Sequence, residues 1–163
     1  MQKTIFTEDM TNSTMKMERD FDGDLELVWQ AYTDSKLLEE WWAPLPFKAV
    51  TKSQSFTEGG SWHYYMLGPD GSKFWCMLNY LTIDPLKVFT AEDVFADEDG
   101  NKNTELPGMH WTNNFTTTST GTKVTVVIKF ASNEDMQKIT EMGFKEGSAM
   151  AHENLDKLLK EKK

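Results

Sequence analysis

Polar and apolar residues alternate along much of this chain, as is typical of half-buried β-strands. The first clear alternation covers residues 14–21, where Met15, Met17 and Phe21 share one side. Further stretches rich in β-branched and aromatic residues follow, separated by turns that contain Gly, Pro or Asp. They predict six more strands, at residues 47–53, 61–67, 73–84, 87–95, 109–119 and 122–130.

Helical spacing of apolar residues predicts three helices. Asp24 is a suitable N-cap for a short helix in 25–33, and a second short helix follows until Pro44 stops it. From Asn133 we predict one continuous helix almost to the C-terminus, with His152 opposite its apolar face. The residues expected on or beside that face are Met136, Ile139, Gly143, Phe144, Gly147, Met150, Ala151, Asn154, Leu155 and Leu158.

The order of these elements is one strand, two short helices, six strands and a long helix, which predicts an α+β fold. An antiparallel sheet of six to seven strands curls, and the long C-terminal helix is the one element able to cover its concave face. No linker divides the chain, so we expect a single domain over residues 14–163. Residues 1–13 show no sustained period and are expected to form a flexible lead-in.

Composition and charge exclude several classes of function. A net charge of -9 disfavours nucleic acid and anionic membranes as partners. We find neither a signal peptide nor an apolar run long enough to cross a membrane, and expect a cytoplasmic protein. Cys76 is the single cysteine, and His63, His110 and His152 do not form a metal-ligand pattern, so no disulfide, metal or other cofactor is expected.

Several motifs resemble the START-like (Bet v 1-like) superfamily, in the subgroup related to the C-terminal domain of the activator of Hsp90 ATPase. They are the opening FDGDLELVWQAYTDSKLLEEWWAP, the hairpin EGGSWHYYMLGPDG, the strand pair YLTIDPLKVF, the strand GTKVTVVIKF and the closing MGFKEGSAMAHENLDKLL. The resemblance covers most of residues 14–159. It implies a helix-grip fold with a cavity between the sheet and the last helix.

The residues that we predict to line this cavity come from the sheet and the last helix. They are Trp62, Tyr64, Met66, Phe74, Cys76, Trp111, Phe115, Gly143, Gly147, Met150 and Asn154. For each of the aromatic residues taken singly, ordinary core packing is the more common role, and for Asn154 a hydrogen bond to nearby backbone or water is. The registers of residues 61–67 and 73–84 also stay open, since a shift of one position exchanges, for example, Cys76 for Trp75 on the inner face.

Three functions are compatible with these patterns. The abundance of Trp, Phe and Met with few ionisable groups on the inner face favours a module that binds a small apolar or amphipathic ligand. The resemblance also implies a module that interacts with an Hsp90-type chaperone, although the additional N-terminal domain of the eukaryotic cochaperone is missing from this sequence. A cyclase or hydrolase of the same superfamily is the third hypothesis, and no catalytic motif supports it.

Overall fold

The computed structural model describes residues 3–162. Met1 and Gln2 of the predicted lead-in, and Lys163 at the end of the predicted domain, lie outside the described residues. The described chain forms eight strands and four helices. The strands are β1 (Ile5–Asp9), β2 (Thr14–Phe21), β3 (Lys48–Gln54), β4 (Ser61–Leu67), β5 (Lys73–Asp84), β6 (Val88–Phe95), β7 (Met109–Thr117) and β8 (Thr122–Lys129). The helices are α1 (Leu25–Thr33), α2 (Ser35–Trp41), α3 (Asn133–Glu141) and α4 (Phe144–Lys162).

All eight strands form one antiparallel sheet, in the order β1-β2-β8-β7-β6-β5-β4-β3. The helices α1 and α2 interrupt the sequence between β2 and β3, and α4 packs on the concave face of the sheet. The predicted α+β helix-grip fold is therefore confirmed. The sheet has one strand more than the predicted six to seven.

The additional strand is β1, which lies inside the segment that we expected to be a flexible lead-in. Its residues pair with β2 at the edge of the sheet, from Ile5 opposite Glu18 to Asp9 opposite Thr14. Four of its five residues are exposed, so β1 has no buried side that would produce an alternating pattern. Backbone pairing forms this strand, and hydrophobic periodicity could not predict it.

The two short helices are held by caps that the sequence supplies. Asp24 accepts a hydrogen bond from the backbone N–H of Leu27, as an N-cap does. Asp34 ends α1 and also caps α2 by accepting from the N–H of Lys36. The buried indole of Trp41 donates to the carbonyl of Ala31 at 2.8 Å and so fixes α2 against α1.

The C-terminal helix is divided in two, whereas the sequence predicted one continuous helix. Helix α3 ends at Glu141, and Gly143 has a positive φ of 90°, a conformation that glycine adopts without steric cost. Helix α4 then begins at Phe144. Gly143 is thus a helix terminator and does not lie inside a continuous helix as predicted.

This break changes which face of α4 is buried. The buried residues of α4 are Ala151, His152, Leu155, Leu158 and Leu159. His152, which we expected opposite the apolar face, lies in the core, and Met150, expected on that face, is 40% exposed. The helical phase predicted from residue 133 onward does not carry across the turn at 142–143.

Within residues 3–162, none of the helices is long and apolar enough to cross a membrane.

Candidate functional site

A cavity of about 250 Å³ lies between the sheet and the last two helices. Its floor comes from the inner faces of β2 and β4 to β7, its roof from α3 and α4, and one side from α1, α2 and the loop after α2. Met142, at the α3–α4 junction, is the exposed residue of this lining, with 54% of its surface accessible. The lining residues are Met17, Tyr32, Trp41, Trp42, Pro44, Tyr64, Met66, Cys76, Asp93, Phe95, Met109, Trp111, Ile139, Met142, Gly143, Phe144, Gly147, Ser148, Ala151 and His152.

The register of the sheet brings the floor residues together. Tyr64 on β4 lies opposite Cys76 on β5, and Cys76 lies opposite Phe95 on β6. One row further along, Asp93 of β6 lies between Leu78 of β5 and Met109 of β7. Because side chains alternate between the two faces of a strand, Cys76 and Asp93 both point toward the helices.

Aromatic side chains form the wall next to this floor. The indole N–H of Trp42 donates to the hydroxyl of Tyr64 at 2.8 Å, and the ring of Tyr64 stacks on Trp62 with centroids 3.8 Å apart. The rings of Trp42 and Trp111 are 5.8 Å apart, and Phe144 meets Trp111 edge to face at 6.0 Å. The wall is therefore a set of rings in mutual contact, contributed by α4, the end of α2 and the two strands β4 and β7.

Asp93 is the one acidic residue in this lining. Within residues 3–162, no group donates a hydrogen bond to its carboxyl, whose flanking residues Leu78 and Met109 are apolar. Burial raises its pKa from 3.8 to about 7, because the charged form loses hydration that nothing replaces. A carboxyl in such surroundings can donate or accept a hydrogen bond near neutral pH.

The other titratable groups of the lining are uncharged near neutral pH. Burial, together with the nearby Asp93 charge, raises the pKa of Cys76 to about 12. Burial, and then the charge of Arg19, lowers the pKa of His152 to about 3. Burial also raises the pKa values of Tyr32 and Tyr64 well above their usual value. A thiol with this pKa is a poor nucleophile, so the lining does not present an activated cysteine.

Two further lining residues bury polar atoms that have no hydrogen-bond partner in the described chain. These atoms are the hydroxyl of Tyr32 and Nε1 of Trp111. Both are fully covered by neighbouring atoms, whereas Asp93 as a residue is half-buried. Asp93 is accordingly an unpaired ionisable group in the lining that a molecule entering the cavity could meet.

Six of the predicted site residues line the cavity: Tyr64, Met66, Cys76, Trp111, Gly143 and Gly147. Trp62 is fully buried behind Tyr64, and its indole donates to the hydroxyl of Thr51. Phe115 lies deeper in the core, with its ring 4.9 Å from that of Trp29. The open question of the β5 register is also answered, since Cys76 and Leu78 are on the inner face.

The remaining three predicted site residues also lie outside the cavity lining. Phe74 shares the inner face of β5 but stands at its end, 52% exposed and packed against Phe47. Met150 faces solvent because of the break at Gly143. The amide of Asn154 donates to the carbonyls of Trp41 and Ala43 at 3.5 and 3.3 Å, which is the backbone-bonding alternative left open by the sequence.

Sequence reasoning missed Asp93 and His152, although a signal existed for the first. Asp93 alternates in phase with the apolar Phe89, Ala91 and Phe95, so the pattern of β6 already places an acid on the buried side. His152 was assigned to the wrong face because of the helix break. The other lining residues that the sequence did not nominate are Met17, Tyr32, Trp41, Trp42, Pro44, Phe95, Met109, Ile139, Met142, Phe144, Ser148 and Ala151.

Within residues 3–162, no group of three or more His, Cys, Asp or Glu residues is arranged to hold a metal ion.

A curved antiparallel sheet gripping a C-terminal helix over an apolar cavity defines the START-like, Bet v 1-like class of protein. Residues 22–160 match the sequence model of the family described as Activator of Hsp90 ATPase homolog 1-like protein, and the chain belongs to this family. The resemblance inferred from the sequence motifs is confirmed.

Solved structures of bacterial proteins share this fold over almost their full length. The crystal structure of protein Ms6760 from Mycobacterium smegmatis is 34% identical, with a TM-score of 0.88 and 96% of each chain covered. The solution structure of a protein from Arthrobacter aurescens is 35% identical, with a TM-score of 0.90 over 96% of this chain and 91% of that one. A Staphylococcus epidermidis protein is 29% identical, with a TM-score of 0.84 over 96% and 95% of the two chains. No curated protein matches this sequence significantly.

Proposed function

We propose that this protein binds a small apolar or amphipathic molecule in the cavity between the sheet and α4. The observation that carries the proposal is the cavity itself, with a volume of about 250 Å³ in a core that is otherwise filled by large side chains. A concave apolar surface of this size is costly to hydrate. A guest molecule that covers it removes that surface from water, which favours binding.

The chemistry of the lining also supports a ligand that is mostly apolar. Trp, Phe, Met, Ile and Pro side chains dominate the walls, and a small number of polar groups, including Asp93 and Tyr64, are available to orient a guest. This combination is typical of small-molecule sites. The exposed Met142 in the lining favours the α3–α4 junction as the route from solvent.

Filling the cavity with a side chain tests the proposal. Ala151 is buried and lines the cavity from α4, so Ala151→Phe places a phenyl group in the unfilled volume. We expect the affinity for the neutral fluorescent probe N-phenyl-1-naphthylamine, measured by its emission on titration, to fall at least about tenfold, which corresponds to about 1.4 kcal/mol.

The matched control is Ala149→Phe, because Ala149 is on the same helix and outside the lining. Ser148→Phe provides a second cavity-filling variant, and circular dichroism establishes that each protein is folded. Equal probe affinity in wild type and in folded Ala151→Phe and Ser148→Phe variants would show that the probe does not bind in this cavity.

Binding to an Hsp90-type chaperone is a second candidate function, favoured by the description of the family. A complex between this chain and a purified Hsp90, detected by isothermal titration calorimetry, would support it.

A further inference from the structure

We propose that the cavity prefers ligands that carry a basic amine, and that the carboxylate of Asp93 holds the organic ammonium group. This inference rests on the proposed function and specifies the chemical class of the ligand. It starts from the position of Asp93 on the floor of an apolar cavity that is open to solvent.

The protein leaves the Asp93 carboxyl without a partner of its own. Its neighbours across the sheet, Leu78 and Met109, offer no donor, and no other group within residues 3–162 donates a hydrogen bond to it. Burying a carboxylate is costly unless it is paired. In an accessible cavity, a hydrogen-bond donor or a cation on the ligand can serve as the partner of the Asp93 carboxyl.

Charge distribution favours a cation as that partner. The lining contains Asp93 and no Lys or Arg. Arg19, the buried arginine near His152, is already paired with Asp156 at 2.5 Å and with the hydroxyl of Thr4. The net charge of -9 further raises the local concentration of cations around the protein.

The aromatic rings around the cavity also suit an ammonium group and its alkyl chain. Trp42, Tyr64 and Trp111 present ring atoms to the cavity, and the faces of Trp and Tyr attract cations. A carboxylate close to aromatic faces can hold the charged end of an amphiphile while the apolar walls enclose the rest.

The other ionisable residues that line the cavity do not titrate near pH 7. They are Tyr64 on β4, Cys76 on β5, Tyr32 on α1 and His152 on α4. The remaining lining residues on β2, β7, α2 and α3 are not ionisable. Because the pKa of Asp93 is about 7, the preference for an ammonium group should grow between pH 6 and pH 8. A primary alkylamine remains charged over that range, as a lysine side chain does.

Three probes that share an eight-carbon skeleton and differ in the terminal group test the inference. They are octylamine, octan-1-ol and octanoate, each titrated by calorimetry into the full-length protein. At pH 8 we expect wild type to bind octylamine at least about tenfold more tightly than octan-1-ol, and octanoate most weakly. Asp93→Asn keeps the side-chain shape and removes the charge, so the ratio of the two dissociation constants should fall to about one.

The control is Glu92→Gln, which removes one charge from the neighbouring residue on the outer face, where Glu92 pairs with Lys102 at 2.8 Å. In Glu92→Gln, the ratio of the dissociation constants of octan-1-ol and octylamine should equal that of wild type. The pH series on wild type needs no substitution: the amine-to-alcohol preference should increase from pH 6 to pH 8, and stay constant in Asp93→Asn.

The outcomes separate the two proposals. If N-phenyl-1-naphthylamine and octan-1-ol bind in the cavity but Asp93→Asn and pH leave the octylamine preference unchanged, the inference about amines is wrong and the proposed function stands. If wild type binds none of the probes, both are wrong. A loss of octylamine preference in Glu92→Gln equal to that in Asp93→Asn would also overturn the inference, because the effect would be one of overall charge.

Discussion

His152 lies in the core, so its charge state differs between the folded and the unfolded protein. Its ring meets Phe21 edge to face at 5.5 Å, and Nδ1 is 2.7 Å from the hydroxyl of Thr4 on the segment before β1. Burial, and then the charge of Arg19, lowers the pKa of His152 from 6.5 to about 3. The unfolded chain therefore takes up a proton at this residue well before the folded protein does.

Stability should for this reason decrease with acidity in a window set by His152. Between pH 6.5 and pH 3 the unfolded state binds more protons at this site, so the free energy of unfolding falls as the pH falls. We expect wild type to lose on the order of 3 kcal/mol more than His152→Gln between pH 7 and pH 4, measured by urea unfolding at each pH.

The raised pKa of Asp93 acts in the opposite direction between about pH 7 and pH 4, and cancels in this comparison because both proteins contain it. His110→Gln is the control, since His110 is exposed. A pH dependence of His152→Gln that parallels wild type would show that His152 is not held neutral by burial.

Single residues were predicted from the sequence with mixed success, and the reason is physical. The positions of Tyr64 and Cys76 on the inner face of the sheet could be predicted because strand alternation has a strict period of two. His152 and Met150 were placed on the wrong faces because helical phase is lost wherever a helix breaks. Asp93 was overlooked, although its phase within β6 was visible.

At the level of elements, Gly143 and Gly147 have different roles despite being one turn apart. Gly143 joins α3 to α4 with a φ of 90°, whereas Gly147 lies in the first turn of α4. A Cβ at position 147 would contact the Pro44 ring at 3.6 Å, an ordinary van der Waals distance. Position 143 is restricted by its backbone and position 147 is not.

Substituting each glycine by alanine should separate the two roles. Gly143→Ala should lower the free energy of unfolding by about 1–2 kcal/mol, because an L side chain is strained at positive φ. Gly147→Ala should raise it by about 0.5–1 kcal/mol through helix propensity. Urea unfolding measures both, and each variant is the control for the other. A Gly143→Ala variant as stable as Gly147→Ala would contradict the assignment of Gly143 as the helix terminator.

The elements themselves were largely predictable from the sequence. Strands β4 and β5 and the two short helices have strong patterns and clear stop signals. The edge strand β1 lacks a buried side, and the turn between α3 and α4 contains residues that also fit a continuous helix. Both depend on backbone conformation, to which side-chain periodicity is insensitive.

For the whole molecule, the sequence predicted the helix-grip fold but not whether its interior is filled. The same aromatic residues can close a core or surround a void, and the difference depends on how α4 packs over the sheet. Trp62 and Phe115 belong to the filled part, while Tyr64 and Trp111 border the cavity. No pattern along the chain distinguishes these two pairs.

The methionines provide the most direct test of ligand binding in the cavity. Met17, Met66, Met109 and Met142 line it from the sheet and from the α3–α4 junction. Met10 and Met150 are exposed and outside it, and serve as internal controls. In protein labelled with ¹³C at the methionine methyl groups, the cavity methionines and the exposed control methionines can be followed separately by NMR. Single Met→Leu variants assign the resonances.

The decisive measurement is a titration of this labelled protein with N-phenyl-1-naphthylamine. We expect the methyl resonances of Met17, Met66, Met109 and Met142 to shift and saturate with one dissociation constant, while those of Met10 and Met150 stay in place. Saturable shifts confined to Met10 or Met150, or four cavity methyl groups unmoved while the probe binds, would contradict binding in this cavity.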